Sequence, residues 1–389
     1  MRRIIATLAI LSCAVSTNAS PEAINTILAV GPEGKGNTKA AAAWSELAKG
    51  GDSASLVQLL AAMDRAGPIA SNWLRSAAEV VAGKLEDGGK LSLNELGVFF
   101  LDQNHAPRAR RFAFELIRKI DPTTAKSLVP GLLNDPSPEL RRDAVAQLIK
   151  QAASLAGNEN KDGAILLYRQ ALGGAVEPTQ IQPIANALKE LEVEVDLPRH
   201  FGFLMRWQVI GPFDNTKRMG FDTVYPPEKE INLGAEYEGK GAKAKWQPLL
   251  SSDKFGKIDL NKPLGMLKET VAYAYTEFES HGVRPAEIRL GCKNAWKIWL
   301  NGKLVFGRDE YHRGQRIDQY KLPIQLKAGK NTILVKACQN EQTEEWTVQW
   351  EFQLRVCDST GSAILAVNRQ ATPQPESAAR RPRRPKKSS

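Results

Sequence analysis

Between Arg308 and Asp318 the chain runs Arg-Asp-Glu-Tyr-His-Arg-Gly-Gln-Arg-Ile-Asp, its densest collection of groups able to bond sugar hydroxyls. A ring such as Tyr311 can stack on the face of a pyranose, while Arg313 and Asp318 supply paired hydrogen bonds to adjacent hydroxyls and His312 adds a further donor or acceptor. The competing reading is a solvated loop whose charges satisfy one another. Trp299 joins the candidates by strand alternation. It shares a face with Lys297 and Asn301, whereas Trp296 shares the opposite face with Ile298 and Leu300. An exposed Trp299 would be a flat platform for a sugar, though the same ring also suits a cross-strand pair or a contact with a neighbouring domain. Trp346 and Trp350 read as packing residues.

Little else in the sequence points to reaction chemistry. Glycoside hydrolysis needs two carboxyl groups facing one another across a cleft, and adjacent Asp309 and Glu310 point apart on an extended chain. Of the four histidines, His105 opens a helix, His200 lies at a domain switch and His281 at a hairpin tip; only His312 has polar company. No Ser-His-Asp set, phosphate loop or zinc spacing is present, so the expectation is a protein that is not an enzyme. Cys292, Cys338 and Cys357 all fall in expected strands and serve either as one disulfide plus a spare thiol or as small buried hydrophobes.

The elements that must hold these residues lie between Arg289 and Asn340. Residues 296–300 alternate as a strand, Asn301-Gly302 supplies the positive φ values of a two-residue hairpin turn, and 304–306 return. Residues 322–326 and the β-branched run 331–337 add two more strands, 272–279 alternates cleanly, and 347–356 makes a last long strand. The Ile298–Lys303 hairpin and the Leu326–Val335 run resemble the jelly-roll sugar-binding domain of family 2 glycoside hydrolases and, more broadly, the galactose-binding-like domains. The opening Trp207–Phe213 stretch is similar to the first half of the same fold. The resemblance implies an all-β sandwich over 201–367 that binds carbohydrate without catalysis. It also implies a structural calcium, for which the sequence offers no acidic cluster.

The amino-terminal half has a different period. From residue 39 to 196, apolar residues recur every three or four positions in segments opened by proline, as at Pro68, Pro107 and Pro138. Pro107–Ala113 aligns with Pro138–Ala144 at an offset of 31, and the second copy, Asp-Pro-Ser-Pro-Glu-Leu-Arg-Arg-Asp-Ala-Val, resembles the HEAT-repeat signature. That resemblance implies a short α-solenoid, since such units bury their apolar stripes only by stacking, and with it a surface on which a protein partner docks. The hairpin from Asp162 looks closer to a tetratricopeptide pair.

Residues 1–19 read as a secretory signal peptide: Arg2 and Arg3, a short apolar core, and Thr17-Asn18-Ala19 at the cleavage site. Cys13 offers a lipoprotein alternative, but Leu11 stands where a small residue is wanted. Export would place the protein in the periplasm or outside the cell. Residues 20–38 read as a flexible segment and 368–389 as a disordered basic tail. The formal charge of +10 sits mostly in the signal and in six cations of that tail, leaving a near-neutral body. This argues against nucleic acid as a partner, while the tail suits an anionic surface. The expectation is an exported, non-catalytic binding protein with no cofactor, its sandwich holding carbohydrate or an extracellular polymer. The alternatives are an envelope scaffold that binds no sugar and an accessory subunit of a glycan-degrading enzyme.

Overall fold

A computed structural model describes residues 19–50 and 52–373. The proposed export segment up to residue 18, with Cys13, and the basic tail from residue 374 lie outside the described residues. The chain divides into two compact units that meet at Ala175/Val176, helical in the first and mainly antiparallel β in the second.

The first unit holds nine α-helices among its described residues: α1 (Pro21–Leu28), α2 (Asn37–Leu47), α3 (Ser53–Ala62), α4 (Pro68–Asp87), α5 (Leu93–Leu101), α6 (Pro107–Ile120), α7 (Pro122–Leu128), α8 (Pro138–Gly157) and α9 (Lys161–Gly174). Proline sits in the first turn of α1, α4, α6, α7 and α8, where its missing N–H leaves no bond unmade. One apolar core runs from Ala19 to Ala144. The stretch expected to be flexible, 20–38, is instead folded. Ser20 caps α1, and Ala23, Ile24 and Ile27 are buried in that core. The glycines at 31, 34 and 36 read as linker residues, yet they bend the chain between two packed helices.

Arg110 of α6 and Arg141 of α8 occupy equivalent places in the 31-residue repeat, and both turn to Asp135. Arg110 grips its carboxylate with two hydrogen bonds of 2.8 and 2.7 Å and donates through Nε to the Phe100 carbonyl. Arg141 donates to the Asp135 carbonyl at 3.1 Å, and the carboxylate also accepts from the Ser137 N–H. The Arg110–Asp135 pair is 1% exposed on both sides. Removing one member strands the other charge in the interior, so Asp135→Ala is expected to cost about 3–5 kcal/mol. Arg75→Ala, at the part-exposed Arg75–Glu115 pair, should cost at most about 1 kcal/mol. Urea unfolding followed by far-ultraviolet circular dichroism separates the two; equal midpoints would contradict the assignment.

The second unit opens with α10 (Pro178–Glu190) and α11 (Leu197–Phe201) and then forms a sandwich. Its strands are β1 (Arg206–Asp214), β2 (Glu236–Glu238), β3 (Lys243–Lys245), β4 (Gln247–Leu250), β5 (Lys257–Asp259), β6 (Thr270–Ser280), β7 (Arg284–Cys292), β8 (Ala295–Leu300), β9 (Lys303–Arg308), β10 (Tyr320–Leu326), β11 (Gly329–Gln339) and β12 (Glu351–Cys357), with a single turn, α12 (Pro226–Lys229), between β1 and β2. A six-stranded sheet ordered β4-β1-β6-β11-β8-β9 faces a four-stranded sheet ordered β10-β7-β12-β5, with every pairing antiparallel. Trp296, Ile298, Val335 and Phe278 from the first sheet meet Ile288, Phe352, Leu354 and Val356 from the second. Asn301 and Gly302 close the β8–β9 hairpin with φ of +53° and +78°, as that turn requires.

Residues 368–372, expected as the start of the disordered tail, are instead held against the unit together with Val367. The Val367 N–H donates to the Glu279 carbonyl, and Asn368 accepts from the Glu279 N–H. Arg369 donates to the carbonyls of Phe203 and Pro198, and Thr372 donates to Asp196. This strap secures the chain end to the start of the unit. It uses backbone groups that composition alone cannot anticipate.

Candidate functional site

Outside the main core, the six-stranded sheet carries a second apolar layer. Residues 215–246 cross its outer face and lay Phe221, Tyr225, Ile231, Tyr237 and Trp246 over Val271, Tyr273, Tyr275, Trp299 and Leu334. Trp299 is therefore only 7% exposed, its ring 6.5 Å from that of Tyr273. Of the two readings of Trp299, the exposed sugar platform is corrected and packing holds: alternation put it on the right face, but that face is roofed. A cavity of about 160 Å³ beneath α12 touches its edge.

Lys336 of β11 fastens the roof. Its side chain is fully buried, and Nζ donates to the carbonyls of Phe221 (3.0 Å) and Thr223 (2.8 Å) and to Glu228 Oε1 (2.8 Å). The Tyr273 hydroxyl donates to the same carboxylate. Burial pulls the Lys336 pKa down, against the pull of Glu228 in the other direction.

The loop after β9 splits its candidate residues between two duties. Asp318, expected to face a ligand, instead bridges two strands of the four-stranded sheet. Its Oδ1 accepts from Arg355 Nε at 2.7 Å, and its Oδ2 from Arg355 Nη2 at 2.5 Å and Arg289 Nη1 at 2.8 Å. Arg289 and Arg355 are register partners on β7 and β12, so their like charges need an anion between them. This corrects the ligand role, since both carboxylate oxygens are occupied. Burial alone would raise the Asp318 pKa, but the hydrogen bonds and charges of Arg355 and Arg289 hold it below the ordinary aspartate value.

Tyr311 and His312 anchor the other end of the loop. The Tyr311 hydroxyl accepts from Asn215 Nδ2 at 3.1 Å, and its ring lies 5.2 Å from the Arg218 guanidinium. Burial raises its pKa. His312, at φ +58°, donates its backbone N–H to the Lys293 carbonyl, while Nε2 meets Asn340 Oδ1 at 2.9 Å. Arg313 extends into solvent, 4.0 Å from Glu310. Trp346 stands edge-on to His312, with centroids 5.3 Å apart at 85°, and is 57% exposed. Its assignment as a packing residue is thus corrected, whereas Trp350 is buried and donates to the Ala337 carbonyl. Arg218, over the Tyr311 ring, pairs with Glu341 at 3.1 Å.

The patch at this end of the sandwich therefore consists of Trp346, His312, Arg313, Arg218, Glu341 and the edge of Tyr311. Reasoning from sequence missed Trp346, Arg218 and Glu341. The available signal was a Trp directly after the acidic, amide-rich stretch 339–345, where no strand period holds it. Cys292, Cys338 and Cys357 are buried free thiols, the first two pushed up by burial to about 12 and the third to about 11, so the small-hydrophobe reading stands in place of a disulfide. Among the described residues no group of three or more His, Cys, Asp or Glu side chains is placed to hold a metal ion.

No protein-family model matches this chain, and neither does any curated protein. Among solved structures, a β-glucosidase from Kluyveromyces marxianus aligns at 11% identity and TM-score 0.24, over 39% of this chain and 16% of that one. An FMN-binding β-glucuronidase from Facaelibacterium prausnitzii aligns at 12% identity and TM-score 0.23, over 39% and 22%. An alkylpurine DNA glycosylase from Pseudomonas fluorescens bound to DNA aligns at 12% identity and TM-score 0.20, over 88% and 94%. The chain thus spans less than a quarter of either sugar-processing enzyme.

Proposed function

We propose that this chain is an exported, non-catalytic binding protein whose β-sandwich holds carbohydrate at the loop end formed by 309–318 and 340–347. The observation that carries this reading is Trp346: an indole more than half exposed and edge-on to His312, on the same loop end as Tyr311 and Arg313. An exposed apolar ring beside a hydrogen-bonding histidine matches the two-sided chemistry of a pyranose. The repeat of Arg110 and Arg141 supports a HEAT-type stack in the first unit, which in this reading docks a protein partner. A scaffold that binds no sugar is the second reading, favoured by the structural duty of Asp318.

A glycan array probed with the purified full chain should give discrete hits. Trp346→Ala should weaken them at least about tenfold, which is about 1.4 kcal/mol, without shifting the melting temperature; Arg313→Ala should weaken them less. An array at background, or Trp346→Ala binding like the parent, would leave the scaffold reading in its place.

A further inference from the structure

Another cavity of the second unit opens on the outer face of the six-stranded sheet, at the margin of the roof and away from the loop end. It is a cleft of about 490 Å³ where β1, β4 and β6 meet the strap 366–372, within the range of roughly 300–1,000 Å³ that encloses small organic ligands. Its charges do not balance. Glu277 is already engaged by Lys330 at 2.5 Å and by the Tyr275 hydroxyl at 2.8 Å. Arg369 is held by two backbone carbonyls. Arg206 meets no carboxylate among the described residues and places one hydrogen bond, at 3.3 Å, on the Ala371 carbonyl. A guanidinium carries five N–H donors in a fork shaped for a carboxylate.

The rest of the lining narrows the ligand. Gln208 and Gln370 have side-chain amides that make no hydrogen bond to another described residue, and each offers both donors and an acceptor. Leu233, Pro248 and Leu250 supply an apolar wall, with both leucines about half exposed. A bare inorganic anion would use the guanidinium and leave the amides and the wall idle. An apolar acid would leave the amides unmatched.

We propose that this cleft is a second binding site, distinct from the loop end, for a carbohydrate bearing a carboxylate: a uronic acid residue whose carboxylate sits on Arg206, whose hydroxyls meet Gln208 and Gln370, and whose ring face lies on Pro248 and Leu250. It stands independently of the loop-end site, since no residue is shared between them.

Calorimetric titration of the full chain at low salt with tri-galacturonate, maltotriose and tri-glutamate tests it. The expected result is saturable binding of tri-galacturonate, at least about tenfold weaker binding of the other two, and at least a tenfold loss in Arg206→Ala. Arg206→Lys, which keeps the charge but not the fork, should lose several-fold. Circular dichroism melting checks that both variants fold; Arg206 gives up only one hydrogen bond. The site is overturned if tri-galacturonate does not bind, if folded Arg206→Ala binds it equally, if tri-glutamate binds as well, or if Trp346→Ala abolishes the signal. The last outcome would assign the binding to the loop end, whereas loss of array hits in Trp346→Ala with tri-galacturonate binding intact supports two separate sites.

Discussion

Asp318→Ala is expected to destabilise the sandwich by about 3–5 kcal/mol, because it strips Arg355 of its carboxylate in the interior and leaves the neighbouring Arg289 with Glu287 alone. Bulk tryptophan fluorescence during urea unfolding reads this directly. Were Asp318 a ligand-binding group, the same change would leave the urea midpoint in place and remove only binding. The pH dependence adds an independent check. The Asp318 pKa is depressed in the folded state by its two arginines, against the effect of burial. Its contribution is therefore fully present above the unfolded value, near 4, and is lost as pH falls through the folded value. The parent chain should lose stability steeply below about pH 4, and Asp318→Asn should show a shallower decline there. Identical acid slopes for the two proteins would refute the ion-pair role.

The second large effect is expected at Lys336. Lys336→Ala leaves Glu228 buried without its cation and frees two backbone carbonyls of the roof, a loss of about 3–5 kcal/mol. The 215–246 roof should loosen first, since Lys336 ties it to β11. Acrylamide quenching should then reach a tryptophan shielded in the parent, and Trp299→Phe in the same background should remove that component. Lys336→Met combined with Glu228→Gln takes away both charges while keeping most of the volume. It should recover much of the loss, as paired removal of a buried ion pair commonly does. Should the double variant be no more stable than Lys336→Ala, the roof is held by something other than this pair.

The amino-acid sequence by itself determined the two periods of the chain, helical first and β second, because apolar spacing records directly which side of each element is buried. It placed the 301–302 hairpin, since only residues tolerant of positive φ close a two-residue turn. It put Trp296 in the core and brought Tyr311 and His312 to a loop end. The tertiary structure alone decided what lies over each face. Trp299, open between platform and packing in the sequence, is buried because alternation assigns a side chain to a face but does not register a cover arriving from residues 215–246, whereas Trp346, read as packing, is exposed. Asp318 was drawn from ligand candidate to strand clamp by Arg289 and Arg355, 29 and 37 positions away, and no local pattern encodes such partners. Arg206 became a candidate only when the strap closed a cleft around a guanidinium that had found no carboxylate.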